Sequence, residues 1–356
     1  MPIPPKLVTK SGQEFPFAGG RHEKIEDTVK GVIHLIAKKR VKPLKIRVNE
    51  AILRRVPPRH PQIQKVTTDL AKWKAGLRGE EEADYYLSLL PEKEFSIFQD
   101  VRLQHQGSKF QIDHILLSPH FVLPLSVKNY AGEVIFNPGF NQITRILNNQ
   151  EEGFEDPIVQ AKRHQYLLGR WMKEMRLPPI PIDFLVTFGK STTILKNPAH
   201  SREVYDKVCL AGSLIFKINK VKNLYPKEIL NSKEVNKWTK AILKHHMPEA
   251  PSYTAYHIPH TDFIPGVQCP ACQKYRMFRI RGCWKCPACG AVSKDAHLQA
   301  IQDYFLLINP TLTNRQLQDF LHLHNSGIIS KILASTSLPH TGFRKDRIYY
   351  PKSTDT

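Results

Sequence analysis

The sequence predicts a mixed α/β domain in the middle of the chain, followed by a small metal-bound module and a short helical unit. Three observations carry that expectation. Residues 70–90 place apolar side chains at helical intervals and lead into three short β-rich runs, 95–101, 110–117 and 121–127, separated by turn residues. Five of the six cysteines fall between Cys269 and Cys289. Residues 313–350 carry two short apolar stripes ahead of a basic segment. A chain of 356 residues, 41% hydrophobic and 24% charged, has the length for two or three such units and the apolar content for buried cores, which excludes a wholly disordered or collagen-like protein.

Charge narrows the partner class. Lys and Arg number 52 against 32 Asp and Glu, a formal net charge of +20, so polyanions are the expected partners. The excess sits at the ends: residues 1–75 carry +11, 76–265 carry +2 and 266–356 carry +7. No apolar run reaches the roughly 18 residues of a spanning helix, and the first ten residues lack the apolar core of a secretory signal. The expected setting is cytoplasmic, away from membranes.

Along the chain, Val29, Val32, Ile33 and Ile36 stand at helical spacing, so residues 28–40 read as an amphipathic helix. Lys38, Lys39, Arg40, Lys42, Lys45 and Arg47 read either as solvated surface or as a phosphate-contacting arm. Pro57, Pro58 and Pro61 mark a break, and a Pro- and His-rich stretch over 247–266 marks another. These divide the chain into a basic amino-terminal region (1–65), the α/β domain (66–246), a linker (247–265), the cysteine module (266–292) and a terminal unit (293–356). Within the α/β domain Pro157 suits a first helical turn, so 158–175 reads as a helix and 182–188 as a further strand. The lone Cys209, inside an apolar stretch, reads as a buried small hydrophobe.

Two charged residues interrupt the strands of this domain. Asp113 lies in FQIDHILL, and Lys128 closes VLPLSVKNY. A charge inside an apolar strand costs several kcal/mol unless paired or metal-bound. With the acidic helix ahead of them, the pair fits carboxylates holding a divalent cation beside an ammonium that steadies charge on a phosphate. An Asp113–Lys128 salt bridge at the sheet edge is the other, lesser reading.

GLRGEEEADYYLSLL at 76–90, FQIDHILLS at 110–118, VKNYAG at 127–132 and DPIVQAKRHQ at 156–165 resemble, in order, the motifs of the nuclease-related domain, NERD, a branch of the PD-(D/E)XK nucleases. The resemblance spans about 66–190 and implies an α-β-β-β-α-β core with phosphodiester hydrolysis dependent on Mg²⁺ or Mn²⁺. It implies that Glu80 is the helical glutamate behind Gly76 and Gly79, Asp113 a metal-binding aspartate, Lys128 the lysine of the ExK motif and Gln160 a glutamine on the next helix, one turn before His164. The acidic residue two before the lysine is Ser126 here, a neutral hydroxyl that adds little to the attraction for a hard cation. Either Glu81, Glu82 or Glu133 supplies a displaced carboxylate, or the fold persists as a DNA-binding module that cleaves weakly or not at all.

Cys269-x-x-Cys272 and Cys286-x-x-Cys289 make two tight turns whose four thiolates meet the tetrahedral demand of zinc, with YRMFRIR between them alternating as a strand would. The unit reads as a zinc ribbon with a structural, fully ligated zinc, Cys283 being spare because CPAC occurs at both chosen pairs. Arg276, Arg279, Arg281 and Lys285, with Tyr275, Phe278 and Trp284 among them, read as a nucleic-acid-facing surface or, for the aromatics, as the module's core. Thr313 is a good N-cap ahead of Leu317, Phe320 and Leu321, and Ile328, Ile329, Ile332 and Leu333 mark a second helix. With TGFRKDRIYY as a basic hairpin, the unit resembles a winged helix-turn-helix, in which Ser326, Ser330 and Lys331 face the duplex and Arg344, Lys345 and Arg347 bind phosphate; a helical bundle for binding other proteins is the other reading. The whole reads as a DNA-binding protein with a nuclease-like core.

Overall fold

The computed structural model describes residues 35–252 and 255–352, without the side chains of Ala255 and Lys345. Most of the expected helix over 28–40 lies outside the described residues, and its end, Ile36–Lys38, is a strand (β1). The reason is pairing: extended backbone there aligns parallel with Ser96–His105 (β2), and the Lys38 ammonium donates to the carbonyls of Gln99 and Asp100 at 2.8 Å each. Leu44–Arg55 (α1) and Ile63–Leu87 (α2) follow. The break at Pro57–Pro61 is thus the loop between two helices, and the boundary expected at residue 65 falls in the first turn of α2.

After β2 come Ser108–Leu117 (β3) and Val122–Lys128 (β4), then a meander of Glu133–Asn137 (β5), Gln142–Leu147 (β6) and Gln150–Glu155 (β7). Pro157–Glu174 (α3) starts at Asp156, whose carboxylate accepts from the Ile158 amide at 2.8 Å, with Pro157 in the first turn. Leu185–Phe188 (β8), Ile194–Lys196 (β9), Arg202–Lys207 (α4), Val208–Leu210 (β10), Leu214–Leu224 (α5) and Ser232–His245 (α6) complete the domain. Six strands form one mixed sheet in the order β1-β2-β3-β4-β8-β10, and β7-β6-β5-β9 form a second. The order α2, β2, β3, β4, α3, β8 runs through the first sheet, interrupted by the meander.

Helices cover both faces of the six-stranded sheet. Ala83 and Leu87 of α2 and Leu214, Ile218 and Val221 of α5 pack on Leu116, Leu123 and Leu125. Leu168 and Trp171 of α3 and Val235, Trp238 and Ile242 of α6 pack on Ile115, Leu117 and Val122. Alternation along β4 therefore sends odd positions toward α2 and even positions toward α3.

Phe278–Ile280 (β11), Cys283–Lys285 (β12) and Val292–Ser293 (β13) make a three-stranded antiparallel sheet in the cysteine module. Ala296–Leu307 (α7), Leu312–Thr313 (β14), Asn314–Leu321 (α8), Ser326–Thr336 (α9), His340–Thr341 (β15) and Ile348–Tyr349 (β16) follow, with sheet order β14-β16-β15. Thr313 caps α8 in a reciprocal box with Gln316. Cysteine module and terminal helices share one core, in which Cys269, Cys286 and Trp284 pack with Ile301, Leu317 and Ile329.

This carboxy-terminal core is tied to α1. Residues Val48 and Ile52 of α1, Val66 of α2, Ile258 and Phe263 of the expected linker, and Leu306 and Leu307 of α7 form one apolar cluster. Beside it Asp303, 1% exposed, accepts from Arg55 Nε at 2.8 Å and Arg54 Nη2 at 2.7 Å. Arg55, equally buried, also donates to the carbonyls of Ile264 and Gly266. Removing one partner of such a pair strands the other charge in the interior, so Asp303→Ala is expected to cost about 3–5 kcal/mol, read as a lower thermal midpoint. An unchanged midpoint contradicts that account. Among the described residues no helix is long and apolar enough to cross a membrane.

Candidate functional site

Strand β4, helix α2 and helix α3 converge where β4 ends. The β3–β4 register pairs His114 with Leu125, and one further step puts Asp113 opposite Ser126. The Asp113 carboxylate turns along the sheet end and accepts from the Val127 amide at 2.7 Å. Ser126 is buried on the α3 face, as its even position in β4 requires. Helix α2 reaches this end only because Gly79 has no side chain: a Cβ there would meet Asn129 Cβ at 2.5 Å, and one on Gly189 would meet Gly79 Cα at 2.5 Å. Asn129 fastens the crossing by donating to the Ala75 carbonyl. Gly76 faces open space, so the close approach depends on Gly79 alone of the two.

That crossing carries Glu80 to the sheet end, where its carboxylate is bound by the Arg40 guanidinium. Arg40 also reaches Asp84, one turn along α2, at 3.3 Å, the Asp113 carbonyl at 3.5 Å and His114 Nε2 at 3.1 Å. His114 in turn bonds Asp84. Burial pushes the Glu80 carboxyl up to about 7, against the pull of Arg40 and with Asp113, Asp100 and Asp84 adding repulsion. On Asp84, burial is outweighed by His114 and Arg40, which hold its carboxyl below the usual range.

On the other face, the Lys128 ammonium donates to Gln160 Oε1 on α3. Among the described residues Lys128 forms no ion pair with Asp113, so the sheet-edge salt bridge is not the explanation of the two charges. Burial lowers the Lys128 pKa, with Asp113 and Glu155 opposing, which leaves an ammonium that is poorly solvated and more ready to give up its proton than an exposed one. His164 is buried one turn after Gln160, its Nδ1 without a hydrogen-bond partner, and burial lowers its pKa as well. Asp113, Ser126, Lys128, Gln160 and His164 thus come together, with Glu80 at the same sheet end.

A hard divalent cation takes several oxygen ligands. Here Glu80 is engaged by Arg40, one oxygen of Asp113 is engaged by Val127, and Ser126 brings no charge. Glu81 and Glu82 are exposed on α2, and Glu133 pairs with Lys196 at 2.6 Å. The residues as arranged do not fit Mg²⁺ or Mn²⁺.

The cysteine cluster fits a metal well. Among the described residues, Cys269, Cys272, Cys286 and Cys289 are the group whose ligand atoms all lie within 4.8 Å of one another. Cys269 and Cys289 sulfurs are 3.7 Å apart, and those of Cys272 and Cys286 3.6 Å. Four sulfurs at about 2.3 Å from a tetrahedral zinc lie about 3.8 Å apart, well beyond a disulfide bond. Cys283 stands outside the group, opposite Ile280 in the β11–β12 ladder. Trp284 is fully buried, Tyr275 donates to the Arg54 carbonyl and Phe278 is exposed, so the module's aromatics divide between core and surface.

At the terminus, Lys331 is exposed on α9 beside Ser326 and Ser330, and Arg344 and Arg347 are exposed in the loop joining β15 to β16. The side chain of Lys345 lies outside the described residues. Phe343, at 85% exposed, stands at the tip of that loop and belongs to no apolar stripe of the sequence.

Arg40, Asp84 and His114 complete the site beyond the residues expected for it. Glu80 and Asp84, four residues apart on one helical face, are the available signal, since two carboxylates so placed repel each other and favour a cation between them. No curated protein and no solved structure matches the chain. One family model does: residues 75–189, which hold Glu80, Asp113, Ser126, Lys128 and Gln160, match the nuclease-related domain, NERD.

Proposed function

We propose that this is a DNA-binding protein whose nuclease-related core, of the PD-(D/E)XK type, grips the phosphodiester backbone and cleaves it weakly or not at all. The observation that carries this reading is Ser126 opposite Asp113, a neutral hydroxyl where the resemblance implies a carboxylate. The Lys128 ammonium, steadied by Gln160, remains available to a phosphate oxygen. The cysteine group is a structural zinc ribbon, closed to catalysis by its four thiolates. The order α7, β14, α8, α9, β15, β16 supports a winged helix in which α9 enters the major groove and the β15–β16 loop meets phosphate. The rival reading, metal-dependent cleavage of DNA, draws on Asp113, Lys128 and Gln160, which lie together at the end of β4.

Binding titrations on duplex DNA test the proposal. Affinity is expected to fall steeply between about 50 and 200 mM salt as counterions are released. Replacing Lys331, Arg344 and Arg347 together by alanine lowers the slope by roughly one for each phosphate that is no longer neutralised. A flat salt dependence, or a slope untouched by the triple substitution, removes the terminal unit from the interface. Efficient cleavage by the unaltered protein with Mg²⁺ or Mn²⁺ decides for the rival.

A further inference from the structure

We propose that Arg40 is the resident cation of the core: its guanidinium occupies Glu80 in place of a divalent ion, so the core takes up no metal while Arg40 stays. The inference deepens the reading of the core as a weak or inactive nuclease and rests on that reading.

Arg40 lies upstream of the segment that matches the nuclease-related domain, and the fold delivers it from outside. Strand β1 pairs with β2 through Ile36–Ile97 and Lys38–Phe98, and just beyond it the Arg40 amide donates to Gln99 Oε1 at 2.7 Å. The chain is thereby held alongside β2, with Lys38 fastened to the carbonyls of Gln99 and Asp100. From there the Arg40 side chain, 7% exposed, runs to the end of the sheet and meets Glu80, Asp84, His114 and the Asp113 carbonyl. A guanidinium satisfies such a set of partners at fixed geometry and cannot lose its proton, so it neutralises the carboxylates permanently, where a metal ion would exchange.

The charges around it explain why a cation is needed. Asp84, Asp100 and Asp113 all repel a charge on Glu80 at this sheet end, and burial alone already disfavours the ionised Glu80. A core that kept these carboxylates and lost its third acidic ligand to Ser126 would hold a metal poorly. Arg40 supplies the positive charge from within the chain. Ser126 and Arg40 then act in the same sense, a ligand position without charge and a built-in counter-charge.

The test is Mn²⁺ binding by the full-length, zinc-loaded chain, followed by the loss of free-ion electron paramagnetic resonance signal, a readout independent of DNA and of cleavage. The unaltered protein is expected to bind no Mn²⁺ in the core tighter than about 1 mM. Arg40→Ala is expected to gain one site at least about tenfold tighter, lost again in Arg40→Ala/Glu80→Gln and in Arg40→Ala/Asp113→Asn. Should Arg40→Ala fail to fold, Arg40→Gln, which keeps hydrogen-bond donors and drops the charge, is read in the same way. The proposal is overturned if the unaltered protein already binds Mn²⁺ in a manner that Asp113→Asn abolishes, or if a folded Arg40 variant gains no site. A failure to bind DNA would refute the DNA-binding reading and leave this result untouched.

Discussion

Cys286→Ser is expected to lower zinc from about one ion per chain to a small fraction of that, and to unfold the carboxy-terminal unit with it. The scale follows from what holds that unit together. Zinc binding to such small modules is folding free energy, with apparent values of about 10–16 kcal/mol at neutral pH, as large as the whole stability of a typical domain. The strands β11, β12 and β13 are only two or three residues long and cannot persist as a sheet alone. Cys286 is also part of the core that Trp284 shares with Ile301, Leu317 and Ile329, so the damage passes directly to α7, α8 and α9. Circular dichroism should show lost helix, and a chelator should reproduce the effect in the unaltered protein. Cys283→Ser is the control, because Cys283 lies outside the sulfur group, and it is expected to retain full zinc. Full zinc and unaltered melting in Cys286→Ser would contradict the assignment of the metal centre.

How far the sequence discloses this molecule depends on where each interaction partner lies along the chain. Helix α3 is legible because Asp156 and Pro157 are local start signals, and α8 because Thr313 and Gln316 cap it within four residues. Strands β3 and β4 are legible from their apolar runs, both faces of the sheet being covered by helices. The meander is not, since β7 reads QEEGFE, exposed along almost its whole length and carrying no alternation. Helix α6 is not among the expected elements, although Asn231 and Glu234 form a capping box there. Strand β1 is unreadable for a different reason: three residues acquire a strand's conformation only from β2, about sixty positions away.

The candidate site divides along the same line. Asp113 and Lys128 are conspicuous because each is a charge in an apolar strand, and their neighbour Gln160 follows from the motif on α3. His114 adjoins Asp113 in sequence but alternation turns it to the α2 face, where it meets Asp84 and Arg40. Arg40 reads as one more cation in a basic stretch, and only the fold shows that it is engaged inside the protein and unavailable to DNA phosphate.

Ser126→Glu is the substitution on which the nature of the core turns. Position 126 is 3% exposed and faces Asp113 across the β3–β4 register, so a glutamate there sets a second carboxylate against the first in a dry site. Arg40 is already engaged by Glu80 and Asp84, which leaves the Lys128 ammonium, on the same face of β4, to balance two carboxylates, and like charges so close destabilise the fold unless a proton or a metal is taken up. The single variant is therefore expected to melt earlier at neutral pH, to recover as pH falls and the carboxyls protonate, and to cleave no DNA. Ser126→Glu combined with Arg40→Ala frees Glu80 and assembles three carboxylates at one sheet end, a donor set suited to Mg²⁺. Stability is then expected to rise with added Mg²⁺ or Mn²⁺, since an ion that binds only the folded chain shifts the equilibrium toward it. Metal-dependent DNA cleavage should appear in the double variant and fall by about 10²-fold when Lys128→Ala is added, if the ammonium acts, as proposed, to stabilise charge on the reacting phosphate. Cleavage by Ser126→Glu alone at the level of the double variant would mean that Arg40 does not withhold Glu80. A double variant that folds, binds Mn²⁺ and still cleaves neither duplex, single-stranded nor branched DNA would leave the core a backbone-binding module that restored metal ligands do not convert into a nuclease.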